Sequence, residues 1–381
     1  MTRRQPHPFD LMARILAGRL QGCAPSEELR AMVLSPSIGW EQVLRHASAQ
    51  FVLPAFAAAL RDLGLIELLD EELGAFLSAV HAANVERNDE LRDELAAAVA
   101  VLNRVGIEPV LLKGAIRLVD QLYPDHGWRM MRDLDLLVPK DKLVRALERA
   151  GYLRLDPGAF ELGRPKALAQ IDLHPEPFST RAEAGLLSAA EILDGARPAA
   201  FGNGSVRLPA VEHQLVHLVG HCQIRHLGYA FGSITLRDRL EAAALFRWAG
   251  ESINLEAVSA RFGAAGYRRP LSTFLLSLND VGLCAVPAPG RIDRLIALQR
   301  RRIALQARSA TLGYIGSRAG WWVSELRSQI VERDDGERRA LKSLKRLMFE
   351  RRAVGSMARG FLHRGRHIVH VLPHLSWFGA F

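Results

Sequence analysis

The chain has 381 residues, of which 49% are hydrophobic, so it is long enough for two or three domains and too apolar for a disordered protein. Its three cysteines, Cys23, Cys222 and Cys284, lie far apart and form no C-x-x-C pair, which excludes a disulfide framework and a zinc ribbon. The net charge of +9 is concentrated towards the end of the chain and leaves an anionic partner open.

Neither a signal peptide nor a membrane span is predicted. The apolar residues after Arg3 and Arg4 are interrupted by Asp10, Arg14 and Arg19, so they form no signal-peptide core. No stretch is both long enough and apolar enough to cross a bilayer. Together with the cysteine pattern, this predicts a reducing, cytoplasmic setting.

Residues 1–105 are predicted to form an N-terminal helical region. Apolar residues recur every three or four positions, and Gly, Pro and Ser separate the segments. The expected role of this region is a scaffold that packs on a sheet. The predicted helices cover residues 10–20, 27–34, 39–47, 54–63 and 70–105.

A predicted core over residues 106–209 begins with a strand, a tight turn and a helix. The apolar run at 110–112 indicates a strand that ends at Lys113 and Gly114, where the glycine lets the backbone turn. Helical spacing then predicts a helix over 115–123. The unpaired N–H groups at its start, with the charge of Lys113 beside them, favour a bound phosphate.

Two acids lie on the next predicted strand, in the segment DLDLLV at 133–138. Successive side chains of a strand alternate between its faces, so Asp133 and Asp135 point the same way and repel each other. A hard divalent cation between them would relieve that repulsion, and magnesium prefers such oxygen ligands. The alternative is an ordinary edge strand with solvated acids.

A second alternating segment at 170–174 places Asp172 and His174 on one face. Three acids from two strands favour a two-metal site. The Gly- and Pro-rich stretch 156–166 is either a cover for that site or a plain surface loop. A hairpin predicted over 197–208, which contains Asn203-Gly204, completes the core.

Residues 210–286 are predicted to form a helical region that completes the cleft. His213, His217 and His221 recur every four residues on one predicted helix face, and His226 lies nearby. This spacing suits zinc, but the Glu of an H-E-x-x-H motif is missing. Packed, hydrogen-bonded histidines facing the cleft are the preferred interpretation, with His221 the first candidate for a functional contact.

The remaining residues, 287–381, are predicted to be a basic helical C-terminal region. A Pro-Gly run at 287–290 marks its boundary, and Trp321 and Trp322 precede an Arg/Lys-rich stretch over 337–352. Such a region either binds nucleic acid or another anionic surface, or simply packs onto the core with its charges solvated.

Three of these features together resemble a known family: the Lys113-Gly114 turn, Arg129 four residues before the Asp-x-Asp-x-Leu-Val strand, and the Asp-Leu-His of the second strand. They are similar to the uncharacterised nucleotidyltransferase family of the polymerase-beta-type nucleotidyltransferase superfamily. The resemblance is strong over residues 105–174. It is weaker from there to about residue 248. In this weaker part, His221 and Asp238 lie at about the positions at which such proteins often carry a His and an Asp.

The resemblance implies an α+β fold, with a small mixed-sheet nucleotidyltransferase core flanked by N- and C-terminal helical regions. It implies an enzyme that transfers a nucleoside monophosphate from a nucleoside triphosphate to a hydroxyl acceptor. Asp133 and Asp135 would bind metal ions that bridge the nucleotide phosphates, and Asp172 would bind the second metal and help activate the acceptor. Two Mg²⁺ ions are expected, with Mn²⁺ as an alternative.

The same resemblance implies that Gly114 admits the phosphates and that Lys113 and Arg129 are their charge partners. His174, His221 and Asp238 are candidate contacts in the cleft. The acceptor stays open among a small molecule, a peptide, a protein and RNA, because acceptor recognition has no recognisable motif. The nucleobase and the oligomeric state stay open as well.

Two alternative functions belong to other classes. The first is a catalytically inactive nucleotide- or nucleic-acid-binding protein that works through the basic C-terminal region, and the presence of all three acids argues against it. The second is a zinc hydrolase built on the histidine helix, which would leave the paired acids without a role.

Overall fold

The computed structural model describes residues 7–139, 145–155, 161–164, 169–178, 183–287, 290, 292–309, 311–313 and 315–316. The chain divides into two units, 1–320 and 321–381, and only the first contains described residues. Most of the predicted basic region 287–381, including Trp321, Trp322 and the arginines of 337–352, therefore lies outside the described residues.

The N-terminal helices agree with the prediction to within a few residues at each end. Ser26 and Asp70 cap two of them, since their side chains accept hydrogen bonds from the N–H groups of Leu29 and Leu73, at 3.2 and 2.9 Å. The helices are α1 (Pro8–Gln21), α2 (Glu27–Val33), α3 (Trp40–Ala49), α4 (Leu53–Asp62) and α5 (Glu71–Arg104).

Seven short strands of the described chain form one mixed sheet in the order β3-β4-β5-β2-β1-β7-β6. The pairs β2–β5 and β1–β7 are parallel, and the others are antiparallel. The strands are β1 (Val110–Leu111), β2 (Asp133–Leu137), β3 (Leu153–Arg154), β4 (Glu161–Gly163), β5 (Gln170–His174), β6 (Arg197–Phe201) and β7 (Gly204–Leu208).

The acid-bearing strand β2 lies in the middle of this sheet, between β1 and β5. The edge-strand alternative for the two acids is therefore wrong. The predicted β6–β7 hairpin is confirmed, with residues 202 and 203 as its turn. Part of the predicted loop 156–166 is also strand, because β4 pairs with β5; residues 156–160 and 165–166 of that loop lie outside the described residues.

Helices then cover the sheet and contact the N-terminal region. Leu236 and Leu240 share a buried core with α1 and α4, while Phe274 packs with Val110 and Leu112 at the sheet. The helices are α6 (Arg145–Arg149), α7 (Ala189–Gly195), α8 (Val211–Val219), α9 (Gly228–Phe231), α10 (Leu236–Ala249), α11 (Leu255–Ala264), α12 (Arg268–Asp280) and α13 (Arg294–Ala307).

The architecture is the predicted α+β class, a mixed sheet with helices on its flanks. The predicted boundaries at residues 105, 209 and 286 stay predictions. Within the described residues, no helix combines the length and the apolar character needed to cross a bilayer.

Two buried asparagines on α5 hold the loop that leads into β2. The side-chain amide of Asn84 donates to the backbone carbonyls of Gly127 and Arg129, at 2.7 and 3.2 Å. That of Asn88, which has no exposed surface, donates to the carbonyls of His126 and Arg129, at 2.5 and 2.7 Å. The long helix thus fixes the backbone of Arg129, a candidate nucleotide contact.

We predict that Asn88→Ala lowers the free energy of unfolding by about 2 kcal/mol, because the partly buried carbonyl of His126 loses its side-chain donor and that of Arg129 keeps only Asn84. Urea denaturation followed by circular dichroism measures the change. Ser78→Ala is the matched control, since Ser78 is exposed on the same helix and donates only to the carbonyl of Gly74. Equal losses in the two variants would contradict a specific role of Asn88.

Candidate active site

The register of β2 and β5 brings the predicted acids together. The two strands run parallel, with Asp135 opposite Asp172 and Asp133 opposite Gln170. Opposed residues of a parallel pair face the same side of the sheet, so Asp133, Asp135, Asp172 and His174 share one face.

Asp135 is 1% exposed and is held by two cationic groups. Its Oδ1 accepts hydrogen bonds from Lys113 Nζ at 2.5 Å and from His174 Nε2 at 2.8 Å. Burial alone would raise the pKa of Asp135, but the hydrogen bond from His174 and the charge of Lys113 outweigh it and hold the pKa well below its usual range. The carboxylate is therefore ionised and already paired with cations.

His174 connects the acids of the two strands. Its Nε2 also lies 3.0 Å from Asp172 Oδ2. Burial would lower the pKa of His174, but the hydrogen bonds to Asp135 and Asp172 raise it to about 9. The imidazolium thus balances part of the negative charge on this face.

Asp133 lies at the more open end of the same face. Its pKa is raised, first by partial desolvation and then by the nearby charge of Asp135, although Lys113 lowers it in part. Both aspartates line one cavity of about 430 Å³. The three acids thus share one face of the sheet, with Asp133 and Asp135 at this cavity and Asp172 beside His174.

The turn after β1 differs from the sequence-based expectation. The left-handed backbone, with φ of 48°, is at Lys113 and not at Gly114. The segment Lys113–Leu118 forms a short 3₁₀ helix in place of the predicted helix over 115–123. The predicted helix over 115–123 is therefore wrong in type and in extent, and the short 3₁₀ helix aligns few N–H groups. The phosphate site itself stays a prediction.

Gly114 is required for space. A Cβ atom at this position would lie 2.9 Å from Met131 Cγ and 3.3 Å from Arg129 Nε. Any side chain at this position would crowd Met131 and Arg129, so glycine leaves the space that these two side chains need beside the cavity.

The side chain of Arg129 is held by an ion pair with Glu241 of α10. Its Nη1 pairs with Glu241, whose other oxygen lies 3.3 Å from Arg117 Nε. Arg117 also pairs with Asp120 and donates to Gln214 Oε1 at 2.8 Å. Nε of Arg129 is buried and has no hydrogen-bond partner in the described chain. The N–H of Arg129 Nε is therefore an unpaired donor close to Gly114.

A second cavity, of about 520 Å³, is lined by Asp172 and His174. Lys113, His221 and His226 line both cavities, so the two cavities share a border formed by these side chains. Asp238, the last predicted contact, is buried, lines the first cavity and accepts hydrogen bonds from Arg237 Nε and Nη2, at 3.1 and 3.0 Å.

The predicted histidine helix is interrupted at Gly220, where α8 changes into the π-helix Gly220–Arg225. The ring of His221 lies 4.2 Å from that of His226 and 6.0 Å from that of His217. His217 Nε2 donates to the carbonyl of Pro177 at 3.0 Å. Burial, followed by the charge of Lys113, lowers the pKa of His221 to about 2, so this imidazole is neutral.

One group of side chains in the described chain has the spacing of a metal site. Ligand atoms of Asp135, Asp172 and His174 lie within 4.8 Å of one another. Two hard carboxylates suit a divalent cation such as Mg²⁺. Such a cation could compensate the negative charge that Lys113 and His174 compensate in this structure. Among the described residues, the histidines of α8 and the π-helix do not form such a group.

A family model described as uncharacterised nucleotidyltransferase matches residues 36–281. The match covers well over half of the chain, so the protein belongs to the uncharacterised nucleotidyltransferase family and is an enzyme of the nucleotidyltransferase class. The predicted family is confirmed. No curated protein and no solved structure matches the chain.

The pairing of Lys113 with Asp135 gives a test of the site without any substrate. We predict that Lys113→Met lowers the free energy of unfolding of the metal-free protein by about 1–2 kcal/mol, because a buried carboxylate loses a cation. Mg²⁺ should then stabilise the variant more than the parent, because it binds the folded site. Urea denaturation with and without MgCl₂ measures both effects.

Arg154→Met is the control for that experiment. Arg154 pairs with Glu148 at 2.8 Å, and both side chains are more than a third exposed. Its loss should cost less than about 1 kcal/mol and should be insensitive to Mg²⁺. If Lys113→Met behaves in the same way, the pair of Lys113 and Asp135 does not stabilise the site.

Proposed function

We propose that the protein transfers a nucleoside monophosphate from a nucleoside triphosphate to a hydroxyl acceptor, using Mg²⁺. The observation that carries this proposal is the register of β2 and β5, which sets Asp135 beside Asp172 on the face where Lys113 and His174 gather. Family membership supports the reaction class. Acidic pairs of this kind suit phosphoryl transfer, in which charge stabilisation and positioning supply most of the catalysis.

Asp133, Asp135 and Asp172 would hold the metal ions, which supply charge stabilisation for the leaving pyrophosphate and lower the pKa of the attacking hydroxyl. The donor set of carboxylates fits Mg²⁺, with Mn²⁺ as an alternative. His174 lies within the same group of ligand atoms and either joins it or orients the two carboxylates through its hydrogen bonds.

Lys113 and Arg129 provide the positive charge for the phosphates. With a metal held by Asp135, the ammonium group of Lys113 would no longer be needed to compensate this carboxylate and could contact an anion in the adjoining cavity. Arg129 is held by Glu241 with Nε unpaired above Gly114, so this N–H can donate to a phosphate oxygen. Gly114 lets the phosphate approach the backbone closely.

The acceptor would enter from the second cavity, beside Asp172. In-line displacement needs the attacking oxygen and the leaving group on opposite sides of the phosphorus atom. In this proposal the nucleotide would occupy the cavity beside Asp133, and the acceptor would occupy the cavity on the other side of Lys113. His221 lines both, and its neutral imidazole can donate a hydrogen bond or accept one.

We predict that Asp133→Asn, Asp135→Asn and Asp172→Asn each lower transfer at least about a hundredfold, because each removes a charged metal ligand. The assay incubates the protein with each labelled nucleoside triphosphate, Mg²⁺ and a cell extract, and identifies the fraction that acquires label. The same assay identifies the acceptor class and the preferred nucleobase.

Asp89→Asn is the matched control, because Asp89 is 58% exposed and pairs with His126 away from the cavities. It should transfer label at the parent rate. Parent protein that binds nucleotide but transfers no label would favour the catalytically inactive binding protein. Undiminished transfer by folded Asp133→Asn/Asp135→Asn protein would disprove the assignment of the acids.

A further inference from the structure

Phe51, just after α3, has a backbone conformation that aromatic residues rarely adopt, with φ of 57°. Its N–H donates to the carbonyl of Ser48 at 3.0 Å, and the N–H of Val52 donates to that of Ala47 at 2.9 Å. This is the Schellman end of a helix, whose left-handed position usually carries glycine. Strained residues of this kind persist where the surroundings fix them, and they cluster at functional sites.

Gln50 fixes the end of α3 against the start of α10. Its side-chain Oε1 accepts from the N–H of Leu236 at 2.9 Å, and its backbone carbonyl accepts from the N–H of Arg237 at 3.3 Å. These are N–H groups of the first helical turn, which have no partner inside the helix. The ring of Phe51 is thereby held beside the side chain of Arg237.

Two arginines lie on the ring of Phe51. The guanidinium carbon of Arg237 is 5.0 Å from the ring centroid, and that of Arg132 is 5.7 Å from it. A guanidinium group that packs on an aromatic ring keeps its N–H edges available for a planar anion such as phosphate. Arg237 uses Nε and Nη2 for Asp238, whereas Arg132 has no carboxylate within 4 Å in the described chain.

This cluster of Phe51, Arg132 and Arg237 lines the same cavity as Asp133 and Asp135. Apart from Arg132, the described lysine and arginine side chains at that cavity pair with carboxylates: Lys113 with Asp135, Arg117 with Asp120 and Glu241, Arg129 with Glu241, and Arg237 with Asp238. Among the described lysines and arginines that line the cavity, Arg132 is the one without a carboxylate partner in this structure.

We propose that Arg132, packed with Arg237 on the ring of Phe51, binds the β- and γ-phosphates of the nucleoside triphosphate, so that the N-terminal helical region supports part of the substrate site through Phe51. The inference rests on the proposed function and adds residues to it. A nucleobase suits the cluster less well, because two guanidinium groups already contact the ring and their charge attracts a polyanion. Arg132 directly precedes Asp133, which places the cluster next to the acids.

The test measures binding of inorganic tripolyphosphate and of nucleoside monophosphates to the full-length protein by calorimetry, with Mg²⁺ present. We expect Arg132→Ala to lower the affinity for tripolyphosphate at least about tenfold, because a charge-assisted hydrogen bond is lost. Binding of the monophosphates should stay unchanged. Arg132→Lys, which keeps the charge but loses the planar group, should give an intermediate loss.

Two further variants separate the ring from the charge. Phe51→Leu keeps an apolar side chain but removes the ring. It should lower the affinity for tripolyphosphate about threefold, because the guanidinium groups of Arg132 and Arg237 lose the ring on which they pack. Arg45→Ala is the control, since Arg45 is an exposed residue of α3 that pairs with Glu41. It should bind both ligands like the parent. Circular dichroism confirms that each variant folds.

Equal affinity of the parent, Arg132→Ala and Phe51→Leu for tripolyphosphate would overturn the proposal, as would a parent that does not bind tripolyphosphate. Either result leaves the proposed function intact if the parent still transfers nucleotide and the aspartate variants do not. Conversely, a parent that binds tripolyphosphate through Arg132 but transfers no label would retain the phosphate site and contradict the transfer reaction.

Discussion

The structure depends on a buried carboxylate in the middle of its sheet. An ionised Asp135 that is 1% exposed would be costly unless cations and hydrogen bonds compensate it. Lys113 supplies one cation from the end of β1, and His174 supplies the other from β5. One cation therefore comes from the turn after β1 and the other from β5, the two strands that flank β2, so the same contacts specify the fold and the chemistry.

Much of this was predictable because its causes are local. Alternation along β2 and β5 gives the shared face of Asp135 and Asp172, since each side chain follows from its position in the strand. The N-terminal helices follow from apolar spacing and from caps such as Ser26 and Asp70. The interior position of β2 could not be predicted, because the order of strands depends on contacts between distant segments.

The rest of the site depends on such distant contacts. Glu241 lies 112 positions after Arg129, and no local pattern indicates that it fixes this arginine. The left-handed backbone of Lys113 and the change to a π-helix at Gly220 also lack a signal, because a lysine and a regular helical period predict neither. Phe51 was missed for the same reason, since glycine is the usual residue at a helix end of this kind.

The match to the family covers residues 36–281, whereas the buried core extends beyond it in both directions. Leu11 of α1 packs in one core with Phe56 of α4, and Ile303 of α13 packs in another with Phe274 of α12. Two helices outside the shared region thus cover apolar residues inside it. A related protein without these two helices would have to cover Phe56 and Phe274 with other residues, or carry smaller or polar residues in their place. Buried positions inside the family match should therefore vary together with the segments that lie before and after it.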